Sequence, residues 1–148
     1  MQFNTFVNTV ALVLFVAGAH AKVPSGIYSI INKVQSSEGK NRTITFNGER
    51  KTVTVSLDDR TISKQKTQSI SPADKRGDQC AWGGNVVTVL PAHNYVWTIT
   101  QNEGEETYTI QDGGETVYWG LGSTDVETEV TIGGKTETGE QSWYFVPA

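Results

Sequence analysis

The sequence predicts a protein built almost entirely of β-strands, and three observations support this. From Gly26 onward, short runs rich in Val, Ile, Thr, Tyr and Trp alternate apolar with polar residues. Gly, Asn and Asp separate the runs, and pairs such as Gly83-Gly84 supply the positive φ that a tight hairpin needs. No segment carries an apolar stripe at helical spacing with caps at both ends. We therefore expect an all-β fold whose strands are joined mainly by hairpins.

Twelve segments have the strand pattern, and residues 71–77 are predicted to be a loop. The predicted strands are Ile27–Ile31, Thr43–Phe46, Thr52–Leu57, Thr61–Ser63, Thr67–Ile70, Gln79–Trp82, Val86–Leu90, Tyr95–Thr100, Thr107–Gln111, Val117–Leu121, Glu129–Ile132 and Ser142–Val146.

Similar fragments recur three times in the same order, which indicates an internal repeat. Tyr28-Ser29-Ile30 matches Tyr108-Thr109-Ile110, and Gln68-Ser69-Ile70 is the poorer middle copy. Each copy continues with an aromatic residue near glycine, which is Phe46, Trp82 or Trp119. A β-branched run follows, at 53–55, 87–89 or 130–132. Each copy ends in a closing strand, which carries Trp97 or Trp143 in the later copies. Three four-stranded units predict a β-trefoil, because a closed barrel capped by hairpins hides strand edges. The repeated positions, Trp97, Trp119 and Trp143 among them, are expected to form the core.

The first 21 residues have the pattern of a cleaved secretory signal. An apolar stretch ends in the small-residue triplet Ala19-His20-Ala21, so the mature chain is expected to begin at Lys22. The alternative is an uncleaved anchor, but the run from Val7 to Ala19 is too short for an ordinary membrane span. Residues 22–148 are long enough for one domain and too short for two. The sequence therefore predicts a secreted, extracellular, single-domain protein.

Charge and cysteine content narrow the class of partner. The 16 acidic and 12 basic residues give a net charge of -4, which argues against nucleic acid. Cys80 is the single cysteine, so no disulfide framework is possible within one chain. We expect Cys80 to be a buried small hydrophobe, with an intermolecular disulfide as the alternative.

Residues for catalysis or metal binding are sparse. His93 is the only histidine of the predicted mature chain, and no nucleophile motif accompanies it. A Cys80–His93 dyad is the disfavoured alternative. One cysteine and one histidine cannot build a closed zinc site, and the acidic stretch 102–106 lacks the spacing of a calcium loop. The expectation is a monomer that binds a macromolecule without catalysis, cofactor or membrane.

Basic residues gather in predicted loops, including Arg50-Lys51 and Lys75-Arg76. Lys and Arg are seldom buried, which alone would place them there. A functional alternative is a bait loop, held rigidly in extended form, for trypsin-like proteases, which accept Lys or Arg. Lys75-Arg76 is also a candidate processing site in an exposed loop. Asn41, in Asn41-Arg42-Thr43, is a candidate glycosylation site.

The segments SGIYSI at 25–30, WTITQNEGEETYTIQ at 97–111, YW at 118–119 and QSWYFVPA at 141–148 resemble the β-trefoil protease inhibitors of mushrooms. The resemblance is greatest to the mycospins, which inhibit serine proteases, and extends to the mycocypins, which inhibit cysteine proteases. It implies a non-catalytic inhibitor of a trypsin-like serine protease. The inhibitory loop that it implies comprises Asn47, Gly48, Glu49, Arg50 and Lys51, with Arg50, or next Lys51, entering the specificity pocket of the protease.

Two further hypotheses remain open at the level of sequence. Gln141-Ser142-Trp143 fits the Q-x-W signature of ricin-type lectins, which predicts a carbohydrate-binding trefoil with a glycan as partner. One of the three repeats carries this signature. The third hypothesis is a secreted effector or toxin without inhibitory activity.

The inhibitor hypothesis predicts that the purified mature chain inhibits trypsin and that Arg50→Ala abolishes this inhibition while leaving the fold intact. Titrating trypsin, subtilisin and papain with the protein tests it. An Arg50→Ala variant that inhibits as well as the parent would transfer the role to Lys75 and Arg76. Absence of inhibition at a molar excess would exclude the hypothesis.

Overall fold

A computed structural model describes residues 22–57, 63–66, 69–75 and 77–148. These residues hold twelve strands and one short 3-10 turn, Gly139–Gln141. The strands are β1 (Gly26–Asn32), β2 (Thr43–Thr45), β3 (Thr54–Ser56), β4 (Ser63–Lys66), β5 (Ser69–Pro72), β6 (Asp78–Trp82), β7 (Val87–Pro91), β8 (Trp97–Gln101), β9 (Tyr108–Asp112), β10 (Tyr118–Leu121), β11 (Val130–Gly133) and β12 (Trp143–Pro147).

The predicted all-β fold is confirmed, with small differences at strand ends. Ser71 and Pro72, predicted as loop, belong to β5 because they pair with Lys64 and Ser63 of β4. Parts of two predicted strands, residues 61–62 and 67–68, lie outside the described residues, as does the predicted signal at 1–21. No helix within the described ranges has the length and apolarity needed to cross a membrane.

The strands form a β-trefoil. The barrel wall follows the antiparallel order β5, β4, β1, β12, β9, β8. Three hairpins, β2–β3, β6–β7 and β10–β11, complete the fold. Isolated bridges join these hairpins to one another at Thr52–Thr88, Thr54–Glu129 and Val86–Thr131. Each of the three hairpins therefore contacts the other two, as a threefold cap requires.

The core consists of the repeated positions. Ile30, Ile70 and Ile110 follow one another at intervals of 40 residues, and all three are fully buried. The β-branched runs contribute Val53, Val55, Val87, Val89, Val130 and Ile132. Removing these side chains from water is the main favourable term in the folding of such a domain. The prediction that Trp97, Trp119 and Trp143 belong to this core is confirmed.

One predicted equivalence between the copies is wrong, and strand register explains why. In the three hairpins Val55 pairs with Ile44, Val89 with Cys80, and Ile132 with Trp119. The structural counterpart of Trp119 is therefore Cys80, and Trp82 lies two residues further along its strand. Residues two apart on a strand lie on the same face of the sheet. Trp82 therefore faces the same side of the sheet as Cys80, but at a different depth in the fold. Trp82 ends β6 and is 48% exposed.

The closing tryptophans support this register independently. The indole N–H of Trp97 donates to the carbonyl oxygen of Cys80 at 3.0 Å. The indole N–H of Trp143 donates to the carbonyl oxygen of Trp119 at 3.2 Å. The same bond thus occurs in two copies of the repeat, with Cys80 and Trp119 in the same place.

Candidate functional site

Cys80 and His93 do not form a catalytic pair. Cys80 is fully buried, which raises the pKa of its thiol far above the ordinary value and keeps it protonated. His93 is exposed, and its Nδ1 accepts the backbone N–H of Asn94 at 2.8 Å. Cys80 is therefore the small buried hydrophobe that the sequence predicts, and its burial argues against an intermolecular disulfide. No group of three or more His, Cys, Asp or Glu side chains is placed to hold a metal in the described ranges.

The predicted inhibitory loop, residues 47–51, is a tight turn fixed to the neighbouring hairpin. Asn47 Nδ2 donates to the carbonyl oxygen of Thr52 and to Thr54 Oγ1, both at 2.9 Å. The N–H of Arg50 donates to the carbonyl oxygen of Val89 at 2.7 Å, and the N–H of Val89 donates to Lys51 at 3.0 Å. The loop is held by both side-chain and main-chain bonds.

Within this turn Arg50 has an accessible side chain but not an extended backbone. Its side chain is 74% exposed and lies 3.5 Å from a carboxylate oxygen of Glu49. Its φ is 61°, in the left-handed region. The bait loop expected from the sequence is extended at the residue that enters the protease. The role of Arg50 stays a prediction, and the geometry here is that of a hairpin turn.

The other sequence-predicted residues lie apart from this loop. Lys75 lines a cavity of about 350 Å³ together with residues of β5 and β6. Arg76 lies outside the described residues. Asn41 is exposed, and its Oδ1 accepts a hydrogen bond from Gln35 Nε2 at 2.8 Å.

Both ends of the Q-x-W signature have structural roles. Gln141 is buried, and its Oε1 accepts the N–H of Thr136 at 2.8 Å while its Nε2 donates to the carbonyl oxygen of Gly134 at 2.7 Å. Trp143 is fully buried in the core. The signature therefore fixes the loop before β12 and closes the barrel, and it offers no aromatic surface to a sugar.

A different cleft does present an aromatic surface. We name it the tryptophan cleft: it has a volume of about 230 Å³ and is lined by Trp82, Asn94, Tyr95, Val96, Trp97, Asp112 and Gly113. Trp82 at 48% and Val96 at 46% are among the few large apolar side chains exposed in the described residues. The end of β6, the segment before β8 and the turn after β9 meet here.

Local sequence holds Trp82 in place. Its indole N–H donates to the carbonyl oxygen of Gly84, two residues on. Gly84 has a φ of 82°, which favours glycine. A Cβ on Gly83 would lie 2.9 Å from the Cβ of Thr88, so only glycine fits between Trp82 and the turn without displacing β7. The Gly-Gly pair thus brings a main-chain acceptor within reach of the exposed ring.

Asp112 fixes the opposite side of the cleft. Its Oδ1 accepts the N–H groups of Thr116 at 2.6 Å and Val117 at 2.9 Å, and its Oδ2 accepts the Thr116 hydroxyl at 2.9 Å. Partial burial raises the pKa of Asp112, but the hydrogen bonds from Val117, Thr116 and Gly114 lower it more, so the net shift is downward. The cleft therefore has an ionised carboxylate in a fixed position at neutral pH.

A second cleft is more polar, and we name it the polar cleft. It has a volume of about 270 Å³ and is lined by Lys33, Asn102, Glu105, Thr109, Tyr118, Lys135, Thr136, Glu137, Thr138, Gly139, Gln141 and Ser142. Lys33 Nζ donates to both carboxylate oxygens of Glu105 at 2.8 Å, and the Thr107 hydroxyl donates to Glu105 Oε2 at 2.5 Å. The bond from Lys33, followed by that from Thr107, lowers the pKa of Glu105.

Sequence reasoning missed the tryptophan cleft. The sequence comparison assigned Trp82 to the repeated aromatic position and left residues 91–94 between two predicted strands. The signal was present: Trp82 precedes two glycines, and Asn94-Tyr95-Val96 carries aromatic and apolar residues in a predicted loop-to-strand junction. What the sequence could not supply was the register that exposes Trp82.

Comparison with known proteins agrees with this architecture. A family model described as CCL2-like, CCL2 lectin-like, matches residues 26–143. Among solved structures, a chain of a mosquitocidal holotoxin superposes with a TM-score of 0.75 at 15% identity and covers 86% of this chain. The matched region is 18% of the toxin chain, so this likeness concerns the fold alone. The Rhizoctonia solani agglutinin gives a TM-score of 0.42 at 14% identity, covering 88% of this chain and all of that one. The comparison with curated proteins found no match.

The ion pair of the polar cleft predicts a pH dependence of stability. The pKa of Glu105 in the folded protein lies below its ordinary value of 4.5. The contribution of the ion pair to the free energy of unfolding is therefore complete above pH 4.5, and it is lost as the pH falls through the folded-state pKa. In urea unfolding, Glu105→Gln should be less stable than the parent above pH 4.5, with a difference that shrinks in more acidic buffer. The adjacent exposed Glu106→Gln is the control. A difference that stays constant with pH, or that Glu106→Gln reproduces, would contradict this role.

Proposed function

Because this chain belongs to the CCL2 lectin-like family, we propose that it binds glycans and that the tryptophan cleft is the binding site. The observation that carries the proposal is the exposed ring of Trp82, held at the mouth of a cleft that also contains Tyr95 and Val96. The proposal is binding without catalysis.

The chemistry of the cleft suits a sugar ring. One face of a pyranose presents C–H groups, which pack on the electron-rich face of an indole. The edge of the pyranose presents hydroxyl groups, which exchange hydrogen bonds with an amide. The cleft offers the indole of Trp82 and the amide of Asn94, and Asp112 fixes the turn that forms its opposite side. A few fixed polar groups beside an apolar surface are typical of small-ligand sites.

The site is also organised before a ligand arrives. Trp82 is tied to Gly84 through its indole N–H, and Asp112 is held by bonds from Gly114, Thr116 and Val117 of the following turn. Side chains that are already ordered lose less conformational entropy on binding. This favours a rigid site that selects its ligand by shape and hydroxyl pattern.

Family membership and this cleft support glycan binding better than the protease inhibition expected from the resemblance to mycospins. The backbone of Arg50 lies in a left-handed turn, and its N–H is bonded to Val89. We further propose that the protein is secreted, which would bring the cleft to glycans outside the cell.

The proposal predicts that Trp82→Ala weakens glycan binding at least about 30-fold, since a central aromatic contact contributes about 2 kcal/mol or more. A glycan array and a panel of neutral disaccharides (lactose, maltose, cellobiose and chitobiose) would identify a binder, and calorimetric titration would compare variants. Val126→Ala is the matched control, because Val126 is also 48% exposed but does not line the cleft.

Trp82→Ala should unfold at the same urea concentration as the parent within the small range of surface substitutions. Equal glycan affinity in the parent and a folded Trp82→Ala variant would show that the cleft is not the site. Inhibition of trypsin by a protein that binds no glycan on the array would instead favour the inhibitor hypothesis.

A further inference from the structure

We propose that the polar cleft is a second binding site, for a neutral sugar, so that one chain engages glycans at two places. This inference rests on the proposed function and extends it to a part of the trefoil that no aromatic signature marks. Four observations support it: the position of the cleft, the chemistry of its lining, the bonds that fix its walls and the polar groups left open to a ligand.

The two clefts overlap in part when successive repeats are compared. Gln141, Ser142 and Lys33 of the polar cleft correspond to Tyr95, Val96 and Gly113 of the tryptophan cleft, whereas Tyr118 and Thr109 correspond to Gln79 and Ser69, which line a separate cavity. In the tryptophan cleft, the residues before Trp97 face the turn that follows β9. In the polar cleft, the residues before Trp143 face Lys33, in the turn that follows β1. Trp97 and Trp143 correspond because each donates its indole N–H to the same position of a hairpin.

The turns correspond as well. Asn32 and Asp112 lie 80 positions apart, which is twice the interval between the core isoleucines. Asn32 Oδ1 accepts the N–H of Val34 at 2.9 Å, and Asp112 Oδ2 accepts the N–H of Gly114 at 3.3 Å. Both side chains therefore bond the residue two positions on, and each initiates the same kind of turn.

The lining of the polar cleft differs from that of the tryptophan cleft and points to a different sugar contact. Leu121 stands where Trp82 does and is only 3% exposed, so the indole surface is missing. The aromatic ring in this cleft is that of Tyr118, which is partly buried. Hydroxyl and amide groups predominate otherwise, from Thr109, Thr136, Thr138, Ser142 and Asn102.

The charges of the lining balance. The lining holds two lysines, Lys33 and Lys135, and two glutamates, so its net charge is zero and an acidic sugar gains no net attraction. A neutral sugar exchanges hydrogen bonds with hydroxyls and amides without leaving an unpaired charge. We therefore assign the cleft to neutral rather than acidic glycans.

The walls are held by bonds between distant parts of the chain. Asn32 Nδ2 donates to the carbonyl oxygen of Glu140 at 2.9 Å, and Lys33 is paired with Glu105. Asn102 Nδ2 donates to Thr107 Oγ1 at 2.9 Å and to Ser142 Oγ at 3.2 Å. The loop from β11 is fixed by Gln141. The cleft is thus formed in the folded domain and does not require a ligand to assemble it.

Two polar groups in this cleft are available to a ligand. Within the described residues, Lys135 makes no ion pair and the Tyr118 hydroxyl makes no hydrogen bond. An ammonium group donates up to three hydrogen bonds, and a phenol both donates and accepts. The ring of Tyr118 provides a stacking surface, which is smaller than that of Trp82 in the tryptophan cleft. The Lys135 ammonium and the Tyr118 hydroxyl provide polar groups beside it.

The test is an NMR titration of the nitrogen-15-labelled full domain with lactose, maltose, cellobiose and chitobiose in turn. With at least one of these, we expect two separate groups of shifted signals, the Trp82 indole N–H for one cleft and the amides of Thr136, Gly139 and Ser142 for the other. Thr138→Trp should abolish the second group and leave the first. Val126→Trp, a bulky ring on an exposed turn away from both clefts, is the matched control and should retain both.

Lys135→Ala provides a second variant if Thr138→Trp does not fold, and it should weaken the second group severalfold while sparing the first. Shifts confined to the tryptophan cleft with every disaccharide would overturn this inference and leave the proposed function standing. Shifts in both groups that survive Thr138→Trp unchanged would also overturn it. Shifts in neither cleft, together with no signal on a glycan array, would overturn the proposed function itself.

Discussion

The bond from a closing tryptophan to the neighbouring hairpin is the constraint on which the rest of this trefoil depends. Trp97 and Trp143 each place a large ring in the core and donate the indole N–H to a strand carbonyl, of Cys80 and of Trp119. A buried indole that lost this acceptor would leave a polar group unsatisfied at a cost of about 1–3 kcal/mol. In these two hairpins the bond therefore fixes which residue faces the barrel, and with it how deeply the neighbouring residues of that strand are buried.

That depth separates the buried aromatic residues from the exposed aromatic residue of the proposed binding site. Because Cys80 holds the core position of the second copy, Trp82 falls at the end of β6 and its ring reaches solvent. In the third copy Trp119 holds the core position and Leu121 is buried beyond it. The second and third copies therefore have different surfaces on the same scaffold. One has an indole beside a fixed carboxylate, and the other has hydroxyl groups around an ion pair. The barrel supplies the rigidity, and the residues around each closing strand supply the chemistry.

The sequence contains enough to predict the strands, the three copies and the burial of Trp97, Trp119 and Trp143, because alternation and β-branched composition are local signals. The pairing register between strands is not such a local signal, and the sequence does not state it explicitly. The sequence comparison matched Trp82 to Trp119, which is wrong by two residues. A shift of two residues keeps a side chain on the same face of the strand, so the alternating pattern is unchanged. Only the pairing of Cys80 with Val89 reveals the correct register. The clefts were equally out of reach, because their walls come from distant segments. Lys33, which follows β1, pairs with Glu105, which precedes β9, and Trp82 shares a cleft with Asp112.

Acrylamide quenching of tryptophan fluorescence directly tests the proposal that the exposed indole of Trp82 contacts the ligand. The chain has four tryptophans, of which Trp97, Trp119 and Trp143 are buried, so the accessible emission comes from Trp82. Addition of a bound disaccharide should protect this fraction from acrylamide and shift its emission to shorter wavelength, and a Trp82→Phe variant should show neither change. Quenching that is the same with and without saturating disaccharide would contradict the account.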